Sequence, residues 1–173
     1  ILRSILNEMV GARSLSVNRT EVYNPALNEG WQDLLSREVL IETSSSAQRV
    51  RFRHNVLFDY AVSILLLDDQ PDTLLRFLAE DRSRQLFLRP SLVYFFARLW
   101  HGDREAFWSN YRGVLASEEA SVRLLGQLLP PTVVVQEARE LQDLRPLLDA
   151  LKTDSPHGPE AILRFVRAMQ AWN

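Results

Sequence analysis

The pattern of apolar and polar residues changes abruptly at Asn55. Before it, Val50, Phe52 and His54 alternate with arginines, which is the period-two pattern of a half-buried strand and would place His54 on the same side as Phe52. After it, the chain is almost entirely apolar as far as Leu67, and a helix of that composition is expected to lie in the middle of a fold. Asn55 itself is the expected N-cap of this helix.

Earlier residues predict a series of short elements that leads into this strand. The predicted elements are a helix over Ile1–Val10, an extended stretch over Leu15–Val17, helices over Asn18–Tyr23 and Pro25–Arg37, and strands over Val39–Ile41 and Val50–His54 with a polar turn, Thr43–Gln48, between the strands. This order is that of a winged helix, which we assign to residues 1–68.

Residues 69–173 show helical periodicity only, and we assign them to a second, helical domain. The first predicted helix of this region starts at Asp72 or Thr73. Those that follow cover Ser91–Trp100, Arg104–Leu115, Glu118–Leu129, a segment ending near Leu141, Leu144–Leu151 and Glu160–Trp172. Pro130 and Pro131 are expected to end the fourth of these helices. The predicted fold class is therefore mainly α: a winged helix with a small β-hairpin, followed by an α-helical bundle or α-solenoid.

Charge and composition remove several classes of function. The formal net charge is −2 and the pI is about 6.0, so electrostatics give no reason to expect a nucleic-acid partner. No apolar run reaches the roughly 18 residues that span a bilayer. The sequence has no cysteine, which excludes disulfides and thiolate-bound metals and fits a cytoplasmic protein. Because the chain begins at Ile1, inside a predicted helix, we expect it to be part of a larger protein.

A resemblance to a known family rests on residues Phe52–Ala61, FRHNVLFDYA. This segment resembles the end of the winged-helix domain in STAND-type P-loop NTPases, the class that includes NLR-like receptors and bacterial NACHT-like regulators. Those proteins carry a phenylalanine, a variable residue and His-Asp before an apolar helix with an aromatic residue and an alanine. The matching positions here are Phe52, His54, Tyr60 and Ala61, and the similarity extends over residues 1–67.

The resemblance implies a role for His54. In that family the histidine approaches the terminal phosphate of ADP and holds the winged helix against the N-terminal nucleotide-binding domain of the same chain. Asn55 departs from the family's usual aspartate, which removes a negative charge. The parent protein would bind ATP or ADP with Mg²⁺, and helical repeats after the winged helix would act as a sensor or bind a protein partner. This chain has no GxxxxGK[ST] motif, so it is expected to be non-catalytic and to hold no cofactor itself.

Three other interpretations remain open at this stage. The helical region could be a protein-interaction module without any link to a nucleotide. The winged helix could bind DNA, although its second helix offers only Arg37 as a basic residue. His54 could be an ordinary inward-facing residue bonded to a nearby carbonyl. The remaining histidines, His101 and His157, stand beside glycines, and we expect them to lie on the surface.

Overall fold

The computed structural model describes residues 1–43, 48–152 and 158–172, apart from the side chains of 150–152 and 171–172. The predicted turn over residues 43–48 thus lies largely outside the described residues, as does His157. Most of the described chain is helical, and its strands form one small antiparallel sheet. The predicted fold class, mainly α with a small β-hairpin, is confirmed.

The first part of the chain has the helix–strand–helix–helix–strand–strand order of a winged helix. Its elements are α1 (Leu2–Ala12), β1 (Val17–Asn18), α2 (Arg19–Val22), a 3-10 turn (Pro25–Leu27), α3 (Asn28–Ser36), β2 (Leu40–Thr43) and β3 (Arg49–Phe52). The strand order is β1-β3-β2. The expected hairpin gains a third strand because Val17 pairs with Val50. Leu40, Val50 and Phe52 are buried on one face of the sheet.

Helix α4 (Asn55–Leu65) connects this sheet to the second part of the chain. Phe58 on α4 meets Phe52 of β3 at a ring-centroid distance of 5.9 Å and Phe87 of the helical region at 5.6 Å. Such edge-to-face pairs add to the free energy gained by burial. The boundary predicted between residues 68 and 69 falls in the linker after α4, and the hydrophobic core is continuous across it.

The helical region runs from residue 71 to residue 172. Its elements are α5 (Pro71–Ala79), α6 (Arg82–Phe87), α7 (Arg89–Gly102), α8 (Arg104–Ala116), α9 (Ala120–Glu137), a 3-10 turn (Leu141–Leu144), α10 (Arg145–Lys152) and α11 (Gly158–Trp172). Helix α9 packs against α7, α8 and α11. Helix α6 was not predicted, although Asp81 caps it by accepting from the Ser83 N–H at 2.8 Å.

The predicted break at Pro130 and Pro131 is wrong, because α9 continues through both residues to Glu137. Proline cannot donate to the carbonyl one turn earlier, and an interior proline usually ends or kinks a helix. Both rings are buried where α9 meets its neighbouring helices, so their packing offsets the missing hydrogen bonds. The hydroxyl of Thr132 also bonds to the Leu128 carbonyl at 2.8 Å. Helix α9 also begins at Ala120, after its N-cap Glu119, and not at Glu118 as predicted.

Candidate docking site at the start of helix α4

His54 lies at the N-cap position of α4, with an extended backbone (φ −126°, ψ 137°) and an exposed side chain. The prediction that it shares the buried side of Phe52 is wrong, because β3 ends at Phe52 and the chain bends at the next two residues. The imidazole has no hydrogen bond within the described part of the chain. The interpretation of His54 as an inward-facing residue bonded to a carbonyl is therefore also wrong.

Asn55 is the first residue of α4 and not its cap, which corrects the prediction from the sequence. The side chain of His54 does not cap this helix, and its first turn contains no acidic residue. The main-chain carbonyl of His54 accepts from the Leu57 N–H at 3.0 Å. The earlier N–H groups have no acceptor in the helix, so this end carries the partial positive charge of the helix dipole without a neutralising carboxylate.

One side of α4 is both apolar and exposed, although the sequence predicted a helix buried all round. Val56, Tyr60 and Ile64 follow one another at four-residue spacing and are 54%, 52% and 45% exposed. Tyr94 of α7 extends this surface, since its ring lies 6.4 Å from the Tyr60 ring in an edge-on arrangement. We call these four residues the α4 stripe. It begins beside His54 and runs along the helix.

The opposite side of α4 holds the stripe in place. Phe58 and Val62 are buried in the core, and Asp59 accepts a hydrogen bond from the Ser91 hydroxyl of α7 at 2.7 Å. Partial burial raises the pKa of Asp59 above its usual value, while the bond from Ser91 acts in the opposite direction. The stripe is therefore presented on a fixed helix and not on a loop.

The arginines of β3 are mostly engaged within the fold. Arg49 donates from Nε to the Ser16 hydroxyl at 2.9 Å and from Nη2 to the Ser16 carbonyl at 2.7 Å. Arg53 pairs with Glu38 at 2.9 Å. Arg51 is exposed, and it is the one arginine of this strand without a partner in the described ranges. A surface with so little free positive charge is poorly suited to the phosphates of DNA.

The helix in the recognition position of a winged helix also carries little positive charge. Arg37 follows α3 and pairs with Asp33 at 2.7 Å, which raises the pKa of the Arg37 guanidinium through its hydrogen bond to that carboxylate. Glu29 lies in the first turn of the same helix. Base readout in the major groove relies on arginine, lysine or amide side chains, so α3 offers few groups for it.

A second surface feature lies in the helical region. An apolar groove runs between α9, the 3-10 turn Leu141–Leu144 and α11; its apolar lining residues are Val134, Val135, Ala138, Leu141, Leu144, Phe165 and Met169. Leu141 is 78% exposed. Sequence reasoning missed this groove because it predicted that α9 ends before residue 130. The groove exists only because α9 continues to Glu137.

Asp143 fixes the 3-10 turn that presents Leu141. Its carboxylate accepts from the main-chain N–H groups of Arg139 at 2.9 Å and Glu140 at 3.2 Å. It also accepts from the guanidinium of Arg104 at 2.9 Å. The two main-chain bonds are the chief reason why the pKa of Asp143 is lowered. The turn is thereby attached to the start of α8, where Arg104 also stacks on Trp100 at 3.6 Å.

Other candidate residues have structural roles. His101 is exposed, as expected, and lies 3.2 Å from the carboxylate of Glu137. The described residues contain no cluster of three or more histidine or carboxylate side chains that could hold a metal ion. Within the same ranges, no helix combines the length and apolarity needed to cross a bilayer.

Comparison of the chain with family models, curated proteins and solved structures found no match.

Proposed function

We propose that this chain is the winged-helix and helical part of a STAND-type signalling NTPase, and that the start of α4 docks on the nucleotide-binding domain of the same protein. The observation that carries the proposal is the exposure of His54 beside the α4 stripe. A histidine without an internal partner is available to a ligand, and an exposed apolar surface next to it suits a domain contact. The winged-helix order of the first part of the chain agrees with the family resemblance.

The chemistry at this point suits a phosphate. The imidazole can donate one hydrogen bond from a ring nitrogen, and the unbonded N–H groups at the start of α4 supply a partial positive charge. No acidic side chain lies in the first turn to oppose an anion, and Asn55 stands where the family's aspartate would add a negative charge. His54 would thus report the terminal phosphate of an ADP held by the other domain.

The proposed role is regulatory and non-catalytic. The chain has no phosphate-binding glycine loop, so the nucleotide and its Mg²⁺ would be bound by the preceding domain in the cytoplasm. In the ADP state the α4 stripe would be covered by that domain. Nucleotide exchange would release the winged helix, and the helical region, acting as a sensor or scaffold, would move with it.

The coding sequence upstream of Ile1 tests the family assignment. The proposal requires a GxxxxGK[ST] motif that follows a predicted strand and opens a helix, within a few hundred residues upstream of Ile1. An upstream sequence without such a motif would remove the nucleotide link. It would leave the exposed stripe as a docking surface for a different domain.

A second candidate function is that of a protein-interaction module, and the apolar groove beside Leu141 favours it. An amphipathic helix or an extended apolar segment could lie in a groove of this kind. Leu141→Asp in the full-length protein would discriminate. A protein that acts only through this groove should lose stimulus-dependent assembly in Leu141→Asp and retain it in His54→Ala.

A third alternative, DNA binding by the winged helix, predicts salt-dependent association with duplex DNA. An anisotropy titration of residues 1–173 with labelled duplexes tests it directly. We expect no binding at physiological salt, because Arg49 and Arg53 are engaged within the fold. Tight binding that weakens as salt increases, and that is lost in Arg51→Ala, would favour this alternative over the proposed function.

A further inference from the structure

The linker between α4 and α5 is held to the helical region at Asp69. The Asp69 carboxylate accepts two hydrogen bonds from the guanidinium of Arg98 on α7, one of them at 3.2 Å from Nη1 to Oδ2. The main-chain carbonyl of the same residue accepts from Nδ2 of Asn110 on α8 at 2.7 Å. Side chain and main chain of Asp69 are therefore attached to two different helices.

Both partners of Asp69 are also held by contacts within their own helices. The guanidinium of Arg98 lies over the Phe95 ring, 5.4 Å from its centroid, and its side chain is largely covered. Asn110 is fully buried and also donates to the Ala106 carbonyl at 2.9 Å. Two-pronged arginine–carboxylate pairs are directional as well as strong, so the linker has to adopt the one conformation that satisfies both partners.

We infer that Asp69 is a conformational latch that holds the linker between α4 and α5 closed against α7 and α8, and that this linker opens locally when the bonds of Asp69 are lost. The neighbouring Asp68 makes no contact of this kind in the described part of the chain: its carboxylate accepts from the N–H of Gln70 within the same linker, at 2.8 Å. Opening the latch would free the linker without breaking the hydrophobic contact between α4 and α7.

Residue-resolved amide hydrogen exchange of residues 1–173 tests the latch, with Asp69→Asn and Arg98→Met as separate variants. Asp69→Asn keeps the main-chain carbonyl and the size of the side chain, while Arg98→Met keeps the contact with Phe95. Asp68→Asn is the matched control, because it removes the same charge from the same linker and still accepts from Gln70. The reporters are two amides that flank the linker: Leu67 N–H donates to the Val62 carbonyl at the end of α4, and Leu74 N–H donates to the Gln70 carbonyl at the start of α5.

In both latch variants we expect exchange at Leu67 and Leu74 to accelerate about fivefold, the size of effect given by a partly exposed ion pair. Exchange at Leu92 in α7 and at Arg53 beside the sheet should stay unchanged, and the control should match the unaltered chain. Equal acceleration at all four amides would show a general loss of stability and would overturn the latch. No acceleration at the reporters, or the same acceleration in Asp68→Asn, would also overturn it.

Discussion

Ser91 donates its hydroxyl hydrogen to Asp59 across the contact between α4 and α7, over an oxygen–oxygen distance of 2.7 Å. Ser91 is fully buried, and Asp59 is partly buried. The pair lies next to Tyr60 and close to the turn of α7 that carries Tyr94. It joins the helix that presents His54 to the helical region, so the geometry of the candidate site depends on a polar contact inside the fold.

Ser91→Ala should raise the pKa of Asp59 further, because the hydrogen bond from Ser91 is the contribution that opposes the effect of burial. The variant should also lose about 1 kcal/mol of stability at neutral pH, the usual value of one hydrogen bond. NMR titration of the Asp59 carboxyl and chemical denaturation measure the two effects. Ser83→Ala is the control, since Ser83 is exposed at the start of α6. An Asp59 pKa that falls or stays constant in Ser91→Ala would contradict the assigned bond.

The raised pKa of Asp59 also predicts a pH dependence of folding. A carboxyl group whose pKa is higher in the folded state favours folding while it is protonated, and this advantage is lost as pH rises through the folded pKa. Asp59→Asn cannot ionise, so its stability relative to the unaltered chain should increase between about pH 3 and neutral pH. Denaturation at several pH values measures the difference. A difference that shrinks as pH rises would show that the pKa of Asp59 is lowered instead.

Gly126 allows α8 and α9 to approach each other closely. A Cβ atom at this position would lie 2.9 Å from main-chain atoms of Val114 and Leu115, and a backbone cannot move aside as a flexible side chain can. Gly126→Ala should cost about 1–3 kcal/mol. Gly11→Ala in α1 is the control: its Cβ would meet no atom within 4 Å, so it should stabilise the chain by up to about 1 kcal/mol. If both variants shifted the melting temperature in the same direction, the close approach of α8 to Gly126 would be contradicted.

Arg49 and Arg51 lie two residues apart on β3 and differ in their contacts, which makes them a matched pair. Arg49→Ala removes two hydrogen bonds to Ser16, and charge-assisted bonds of this kind contribute about 1.5–3 kcal/mol each before solvent exposure reduces the value. Arg51→Ala removes an exposed side chain and should change stability by less than about 0.5 kcal/mol. Urea denaturation distinguishes them. Equal losses in the two variants would show that Arg49 does not hold the segment before β1.

Much of the element order before α4 could be predicted from the sequence because several of these helices and strands are amphipathic. The alternation that ends at Phe52 and the helical spacing of Ile5, Leu6 and Met9 follow directly from which side chains are buried. The third strand was predicted only as an extended stretch, since a two-residue strand has no period of its own. Its place in the sheet comes from the pairing of Val17 with Val50.

The candidate site was harder to predict because exposure is a property of the packed structure. An apolar helix such as α4 is normally buried, and nothing local distinguishes Tyr60, which is exposed, from Phe58, which is not. The exposure of His54 depends on β3 ending two residues earlier. In the helical region, the rule that an interior proline ends a helix gave a wrong prediction at Pro130, because burial of its ring outweighs the missing hydrogen bond.

The release of ADP from the full-length protein carrying His54→Ala measures the proposed contact most directly. If His54 donates to the terminal phosphate, its removal should speed ADP release about tenfold or more, the effect of losing one hydrogen bond to a charged group. His101→Ala is the control, since His101 is also exposed but lies at the end of α7. Faster release in His54→Ala alone is the predicted result. Release at an unchanged rate in both variants would contradict a contact between His54 and the nucleotide.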